Sequence, residues 1–329
     1  MLKKLFLVLL SLSLIFFAAC SEESSTEPEP QVNEFNLVAA IGDEYYTDYT
    51  TTGGLGVNIS IGDVFINLTD GNDTNNPYII DYRSATDFAS GHLIGAINMA
   101  LGDLMTNLST LPTDKVILNV CYSGQTASVA TAALNMLGYE SQNLLFGMCS
   151  VTADPNVISG TDKWATQIAA DEYTMNMTAV PDPTTEYDFP EISTGKKTGE
   201  EILKEQFVNT ASGWGIAFAD VIANPTNYFI INYWSKTDYD NIGHIEGAYQ
   251  FTPNVAFQKD EMLKNLPTDK TIVVYCWTGQ TSAQVTAYLR MLGYDAKSLL
   301  YGVNGFCYNA LPSHKYVIPS ADYSSIITP

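Results

Sequence analysis

The feature that most constrains this chain is an internal repeat that covers most of its length. Three stretches recur in the same order, and each recurs with most of its residues kept: "YIIDYRSATDFASGHLIGA" (Tyr78–Ala96) with "FIINYWSKTDYDNIGHIEGA" (Phe229–Ala248), "LPTDKVILNVCYSGQTA" with "LPTDKTIVVYCWTGQTS", and "MLGYESQNLLFG" with "MLGYDAKSLLYG". The separation between matching residues grows only from 151 at the start to 155 at the end, so the copies differ by short insertions. The pattern indicates a duplicated domain.

Each copy alternates short apolar runs with longer helix-like runs. In the first copy "YIID", "VILNV" and "NLLF" predict buried strands, and "SATDFASGH" and "TASVATAALNML" predict helices, the second ending at Gly138. The second copy repeats this with "FIINY", "TIVVY" and "SLLY", and with a helix over about 281–292 that Gly293 ends. Ser60 is the predicted N-cap of a further helix upstream. Buried strands separated by helices predict an α/β fold, with a mainly parallel sheet flanked by helices in each copy.

The conserved heptapeptide of the repeat places a cysteine where a buried strand ends and a helix begins. Cys121 and Cys276 would therefore lie at the carboxyl edge of a parallel sheet, where such folds bind ligands. Backbone amides of a glycine-containing turn and the positive end of the helix dipole favour a thiolate at this position. We therefore expect a lowered thiol pKa and interpret both cysteines as candidate nucleophiles.

Taken together, the series "IIDYR", "TDF", "GHLIGAIN", "DKVILNVC", "CYSGQTA", "LGY" and "LLFG" resembles a rhodanese-type sulfurtransferase domain, in both copies and over most of the chain. The resemblance implies two tandem rhodanese-like domains and a cysteine that carries sulfane sulfur as a persulfide to a thiophilic acceptor. It implies Cys121 and Cys276 as the sulfur carriers and needs no cofactor. The implied substrate-binding loops are Tyr122, Ser123, Gly124, Gln125, Thr126 and Ala127 in the first copy, and Trp277, Thr278, Gly279, Gln280, Thr281 and Ser282 in the second.

The sequence also departs from that family in two places. Many active members carry a basic residue in the loop, whereas these loops offer only the neutral Gln125 and Gln280, which predicts poor turnover of thiosulfate. Asp81 and Arg83, a pair that usually braces the sheet in this family, are replaced by Asn232 and Trp234 in the second copy. A non-catalytic binding or redox-sensing module therefore stays open as an alternative.

Other residues favour structural interpretations. His92 and His244 are expected to make structural hydrogen bonds. Cys149 and Cys307 are expected to be buried thiols or one disulfide, because these two cysteines occupy non-equivalent positions in the repeat. A phosphatase that uses a loop cysteine would need an arginine at the position of Ala127 to hold the phosphate oxygens. The sequence therefore disfavours this class of enzyme. No cluster of cysteine and histidine has metal-ligand spacing, so no metal site is expected. Tyr122 and its counterpart Trp277 could either shape the mouth of a pocket or pack on the neighbouring domain.

The N-terminal stretch predicts export and anchoring to a bacterial membrane. Residues 1–19 carry two lysines, an apolar run and the box "FAAC", which is typical of a lipoprotein signal that ends before an acylated Cys20. Residues 20–35, rich in Ser, Glu and Pro, predict a flexible tether. The remaining predicted boundaries are 36–172 for the first domain, 173–197 for a linker, 198–318 for the second domain and 319–329 for a tail. The cell envelope, on the export side, is the expected location.

The overall charge narrows the choice of partners. The chain has 36 acidic and 15 basic residues, a formal net charge of -21, which repels phosphate backbones and makes nucleic acid an unsuitable partner. The expected partners are a small sulfur donor, a thiol or other thiophilic acceptor, and a membrane contacted through the N-terminal lipid. Because the same charge disfavours small anions, any anion site has to be made locally from backbone amides and helix ends.

Overall fold

The computed structural model describes residues 33–51, 57–168 and 173–329, without the side chains of residues 48–51. The predicted signal 1–19, Cys20 and all but the end of the predicted tether lie outside these residues. Within the described part, no helix combines the length and the apolar character that a bilayer crossing requires.

The first repeat forms a five-stranded sheet in which all the neighbouring strands are parallel. Its elements are α1 (Glu34–Thr51), β1 (Asn58–Ile59), α2 (Ile61–Thr69), β2 (Tyr78–Asp81), α3 (Ala85–Ser90), β3 (His92–Leu93), β4 (Ile97–Asn98), α4 (Leu104–Asn107), β5 (Ile117–Val120), α5 (Gln125–Met136) and β6 (Ser141–Leu144). The sheet order is β1-β6-β5-β2-β4, with β3 outside it. The central strands β5 and β2 are almost entirely buried, as continuous apolar runs in a covered parallel sheet should be.

The second repeat forms the matching sheet in the same order, β7-β11-β10-β8-β9, again all parallel. Its elements are α6 (Gly199–Thr210), β7 (Gly215–Ile216), α7 (Phe218–Ala223), β8 (Tyr228–Asn232), α8 (Lys236–Ile242), β9 (Tyr249–Gln250), β10 (Thr271–Tyr275), α9 (Gln280–Met291) and β11 (Ala296–Leu299), followed by β12 (Ile327–Thr328). The predicted fold class, α/β with a parallel sheet flanked by helices in each of two domains, is confirmed.

Local sequence signals account for the ends of several elements. Ser60 caps α2 as predicted, because its hydroxyl accepts a hydrogen bond from the Asp63 amide. The predicted strands "NLLF" and "SLLY" are wrong by two residues, since the strands are Ser141–Leu144 and Ala296–Leu299. The chain leaves each strand early because Phe146 and Tyr301 adopt left-handed backbone conformations, with φ of 63° in both.

The two domains share one core along their common boundary. Helices α5 and α9, which directly follow the two cysteine loops, pack against each other there, with α1 and α6 alongside them. The helix α1 starts at Glu34, two residues before the predicted domain start, and the Glu34 carboxylate accepts hydrogen bonds from the Thr194 and Gly195 amides at 2.8 and 2.7 Å. The predicted linker is therefore hydrogen-bonded to the start of α1.

The C-terminal tail returns to the first domain. Strand β12 pairs with β3 in antiparallel register, Ile327 opposite Leu93, and Ile326 is buried in the same core cluster as Trp164. Tyr316 also belongs to that cluster, and its hydroxyl donates to the Cys149 carbonyl at 2.8 Å. The first domain is thus completed by residues from the end of the chain.

Candidate active site

The first cysteine loop, residues 121–127, surrounds the Cys121 sulfur with backbone amides. The Sγ atom accepts hydrogen bonds from the Gly124 amide at 3.1 Å and from the Ala127 amide at 3.4 Å. Gly124 makes this turn possible, since its φ of 80° lies in the left-handed region where other residues are strained. Ala127 belongs to the first turn of α5, so the sulfur also lies at the positive end of that helix.

The second cysteine loop, residues 276–282, has the same course. The Cys276 Sγ accepts a hydrogen bond from the Ser282 amide at 3.3 Å, the counterpart of the Ala127 contact, and Gly279 has a φ of 76°. Ser282 is also fixed by a hydrogen bond of 2.8 Å between its hydroxyl and that of Ser298. Both predicted cysteines therefore occupy the predicted position between strand and helix.

Both nucleophile candidates are buried, Cys121 to 3% and Cys276 to 2% exposure. Burial raises the pKa of the Cys121 thiol, although the amides of Ala127, Ser123, Gly124 and Thr126 act in the opposite direction. The expectation of a lowered thiol pKa is therefore wrong for Cys121. The loop amides partly offset the free-energy cost of desolvating a thiolate, but their effect is smaller than that cost.

The other two cysteines are structural. Cys149 and Cys307 are both buried, and no disulfide joins them. Burial, with the Asp162 carboxylate as the next cause, raises the pKa of Cys149 to about 12, and such a thiol is a poor nucleophile at neutral pH. The Cys307 thiol donates to the Tyr173 carbonyl at 3.2 Å.

The histidines also have structural environments. His92 stacks on Phe88, and its Nδ1 lies 2.9 Å from the Phe88 carbonyl oxygen. Both ring nitrogens of His244 lie within 3.1 Å of backbone carbonyl oxygens, those of Ile245 and Thr178. These contacts agree with the structural roles expected for both.

The residue after each cysteine differs between the two loops. The Tyr122 hydroxyl donates to the Asp87 carboxylate, and the Tyr122 ring is flanked by two cations, Lys163 Nζ at 5.8 Å and the Arg83 guanidinium at 6.0 Å from the ring centroid. In the second loop, Trp277 stacks on Trp234 at 4.2 Å. The first loop is therefore bordered by the cations Lys163 and Arg83, and Trp234 takes the place of Arg83 beside the second loop.

His314 adds to the aromatic border of the second loop. The His314 ring stacks on Trp277, with the two ring centroids 5.1 Å apart. Burial lowers the pKa of His314, which favours the neutral imidazole at this position.

The flanking residues Lys163 and His314 were not identified from the sequence. The repeat gave little signal for them, because "DKW" (162–164) and "HKY" (314–316) share only the lysine, at a separation of 152 where the preceding residues match at 155. Trp164 ties this segment to the first loop through a hydrogen bond of 3.2 Å from its indole nitrogen to the Ser123 carbonyl. The segment therefore brings a lysine to a loop that has no cation of its own.

The two loop glutamines lie at the boundary between the domains. Gln125 and Gln280 are 2% and 0% exposed, and both side chains extend into the boundary between the domains. Gln125 Nε2 donates to the Ser123 hydroxyl at 3.1 Å, and Thr278, in the other loop, accepts from the Gln280 backbone amide at 3.4 Å. Thr126 and Thr281, by contrast, are partly exposed.

The family-bracing pair is present in the first domain and altered in the second. Arg83 and Asp81 form a buried ion pair at 2.6 Å, and the Arg83 guanidinium also donates to the carbonyls of Val157 at 2.5 Å and Gly91 at 2.8 Å. In the second domain, Asn232 donates instead to the Tyr275 hydroxyl at 2.9 Å. The predicted alteration of the second scaffold is visible in these contacts.

The site and the sheet around it define an α/β protein whose cysteine lies in an amide-lined loop between a parallel strand and a helix. A model of the rhodanese-like domain matches residues 65–150 and again residues 220–309. The two matches cover more than half of the chain, and the chain belongs to the rhodanese-like domain family.

Solved structures with a similar fold are distant. A rhodanese-like domain protein from Staphylococcus aureus is 20% identical over 28% of this chain and 86% of its own, with a TM-score of 0.26. A rhodanese-related protein from Thermoplasma volcanium is 21% identical over 28% and 85%, with a TM-score of 0.25. A probable thiosulfate sulfurtransferase is 17% identical over 72% and 96%, with a TM-score of 0.29. No curated protein matches the chain.

Proposed function

We propose that this protein is a sulfurtransferase that moves sulfane sulfur through a cysteine persulfide, with Cys121 as the principal carrier and Cys276 as the second. The observation that carries the proposal is the hydrogen bonding of the Cys121 Sγ by two loop amides. The same amides are available to a persulfide anion, whose charge they would stabilise without a metal or cofactor.

The proposed reaction has two balanced steps. The Cys121 thiolate attacks the outer sulfur of a donor such as thiosulfate, the S–S bond of the donor breaks, and sulfite leaves with the bonding electron pair. An acceptor thiolate, or cyanide, then attacks the outer sulfur of the persulfide, and the Cys121 thiolate is regenerated. The proton of the resting thiol leaves before the first step, and the raised pKa of Cys121 makes this deprotonation less favourable near neutral pH.

The preference for Cys121 over Cys276 rests on the surroundings of the two loops. The Cys121 sulfur has two amide hydrogen bonds and the Cys276 sulfur has one. Lys163, close to Tyr122, supplies a cation near the first loop of a strongly acidic protein. The second loop is bordered by the Trp277 and His314 rings instead.

A test is to incubate the protein with thiosulfate or a small organic persulfide and to locate added sulfur by peptide mass spectrometry. We expect one extra sulfur on Cys121, less on Cys276, and loss of both after treatment with cyanide. Cys149→Ser is the matched control, and it should load as the unchanged protein does. Loading of Cys149 or Cys307 alone would refute the site assignment, and no loading under any donor would favour a binding or redox-sensing module.

We also propose that the protein works at the cell envelope, anchored through a lipid on Cys20. The support is the "FAAC" box after the apolar N-terminal run and the Ser-, Glu- and Pro-rich stretch that follows it. Cys20→Ser should move the protein out of the membrane fraction of the cell. A variant that stays in that fraction after its signal has been cleaved would contradict the proposal.

A further inference from the structure

The two cysteine loops contact each other's domains through their glutamines. Gln125 Oε1 accepts a hydrogen bond of 2.7 Å from the Tyr301 amide in the second domain. Gln280 Nε2 donates a hydrogen bond of 3.4 Å to the Leu144 carbonyl in the first. Each glutamine therefore reaches out of its own loop and bonds the backbone of the other domain.

The contacted backbone is the turn that supports the other cysteine. In the second domain, the turn Leu299–Val303 follows β11, and the Val303 amide donates to the Cys276 carbonyl at 3.1 Å. The corresponding turn Leu144–Met148 in the first domain follows β6, and the Met148 amide donates to the Cys121 carbonyl at 2.9 Å. We call these two segments the supporting turns.

The glycines of the loops leave space for the opposite glutamine. A Cβ atom on Gly279 would lie 2.6 Å from Gln125 Oε1, and one on Gly124 would lie 2.0 Å from Gln280 Nε2. Any other residue at either position would collide with the glutamine as well as strain the backbone. The sequence Gly-Gln is shared by both loops because each glycine leaves space for the glutamine of the other copy.

We propose that Gln125 and Gln280 are interdomain positioning residues, and that each holds the supporting turn beneath the cysteine of the opposite domain. The consequence for sulfur transfer rests on the proposed function, whereas the positioning itself does not. Loss of the Gln125 contact leaves the partly buried Tyr301 amide without its acceptor and loosens the turn under Cys276, not the one under Cys121. Replacing either glutamine should therefore change the reactivity of the cysteine in the opposite domain.

The two contacts are not of equal strength. The Gln125 bond, at 2.7 Å, is shorter than the Gln280 bond, at 3.4 Å, and Gln280 Oε1 has no hydrogen-bond partner among the described residues. A hydrogen bond of 3.4 Å lies at the weak end of the usual range. Gln125 is therefore the stronger of the two positioning residues.

The test replaces each glutamine by methionine, which keeps the side-chain length but removes the polar atoms. The rate of alkylation by iodoacetamide is measured separately at Cys121 and Cys276 by peptide mass spectrometry, in the full chain. In Gln125→Met we expect the alkylation of Cys276 to rise about tenfold, the range that loss of one buried hydrogen bond supports, and that of Cys121 to change less than about twofold. Gln280→Met should show the reverse pattern with a smaller rise.

Two further variants separate positioning from a general loss of structure. Ser123→Ala removes the partner of Gln125 within its own loop and should leave Cys276 alkylation unchanged, because the bond to Tyr301 remains. Gln125→Glu keeps an acceptor for the Tyr301 amide and should restore slow alkylation of Cys276. Equal changes at both cysteines, or a change only at Cys121 in Gln125→Met, would overturn the proposal.

Sulfur loading gives a second readout that separates the two hypotheses. In Gln125→Met, the rate of persulfide formation on Cys276 should fall while the rate of its alkylation rises. A looser loop exposes the thiol, but it no longer holds the loop amides in place around the sulfur. If the unchanged protein takes up no sulfur, the proposed function fails, and the alkylation pattern still decides the positioning proposal. If sulfur loads normally and the alkylation pattern does not cross, the positioning proposal alone fails.

Discussion

At the scale of single residues, the two copies of one heptapeptide have become different sites. Cys121 has charged neighbours, with Lys163 beside Tyr122 and Asp87 bonded to the Tyr122 hydroxyl. Cys276 has aromatic neighbours, Trp277 and His314. Since the two loops share their Cys, Gly, Gln and Thr, any donor preference in the proposed sulfur transfer has to come from the residues that differ around them.

Lys163 should set the preference of the first site for anionic donors. We expect Lys163→Gln to raise the KM for thiosulfate about three- to tenfold, because the variant removes the lysine charge beside Tyr122 from a protein whose overall field repels anions. The KM for a neutral persulfide donor should change little, and the difference should shrink at high salt. Steady-state transfer to cyanide gives both values.

Lys315→Gln is the control, since the Lys315 Nζ lies 4.9 Å from the centroid of the Tyr308 ring and donates to the Asn309 carbonyl. An equal rise in KM for this variant, or for the neutral donor with Lys163→Gln, would show that loop-adjacent charge does not select the donor.

At the scale of elements, the end of β2 is braced by a buried ion pair that the second domain lacks. Arg83 and Asp81 are 0% and 1% exposed at their side chains, and the guanidinium also holds two carbonyls of other segments. Because no solvent screens this pair, removing one partner leaves a charge buried without compensation. The brace connects β2 with the turn after α3 and with the segment around Val157.

Arg83→Met should lower the free energy of unfolding of the first domain by about 3–5 kcal/mol. Lys236→Met is the control, since Lys236 pairs with Asp240 on the surface with more than half of its side chain exposed, and its loss should cost less than about 1 kcal/mol. Urea unfolding followed by tryptophan fluorescence measures both. Similar losses for the two variants would contradict a bracing role for Arg83.

The sequence predicted the elements better than it predicted their surroundings. The periodicity of each copy was sufficient to place β5, α5, β10 and α9, and hence both cysteines, because burial and capping are encoded locally. The contact of the Gln125 side chain with the second domain could not be predicted. It depends on the packing of α5 against α9, and these two helices are far apart in the chain. Nor could the raised pKa of Cys121, since burial outweighs the loop amides only in the folded domain.

At the scale of the whole molecule, the predicted tail and linker both pack against the repeats. The predicted tail 319–329 supplies β12 and Ile326 to the first domain, and the Ile94 amide donates to the Ile326 carbonyl at 2.9 Å. The predicted linker runs along the second domain, where Asn176 pairs with His244. Segments that lie outside a domain in the sequence therefore form part of its structure.

Deletion of residues 319–329 should weaken the first domain more than the second. The deletion removes a buried isoleucine, which contributes about 1.5–3 kcal/mol, and the hydrogen bonds between β12 and β3. Hydrogen exchange should become faster at the Ile94 amide and stay unchanged at Ile231 in the core of β8. Unchanged exchange at Ile94 would show that the tail does not stabilise β3.

The most direct test of the central claim is the turnover of sulfur from thiosulfate or a persulfide to cyanide by single cysteine variants. We predict that Cys121→Ser removes most of the activity, that Cys276→Ser removes a smaller part, and that the double variant is inactive. Cys149→Ser and Cys307→Ser should retain the activity of the unchanged protein. Full activity in the double variant, or its loss in Cys149→Ser with that variant still folded, would contradict sulfur transfer through the two loop cysteines.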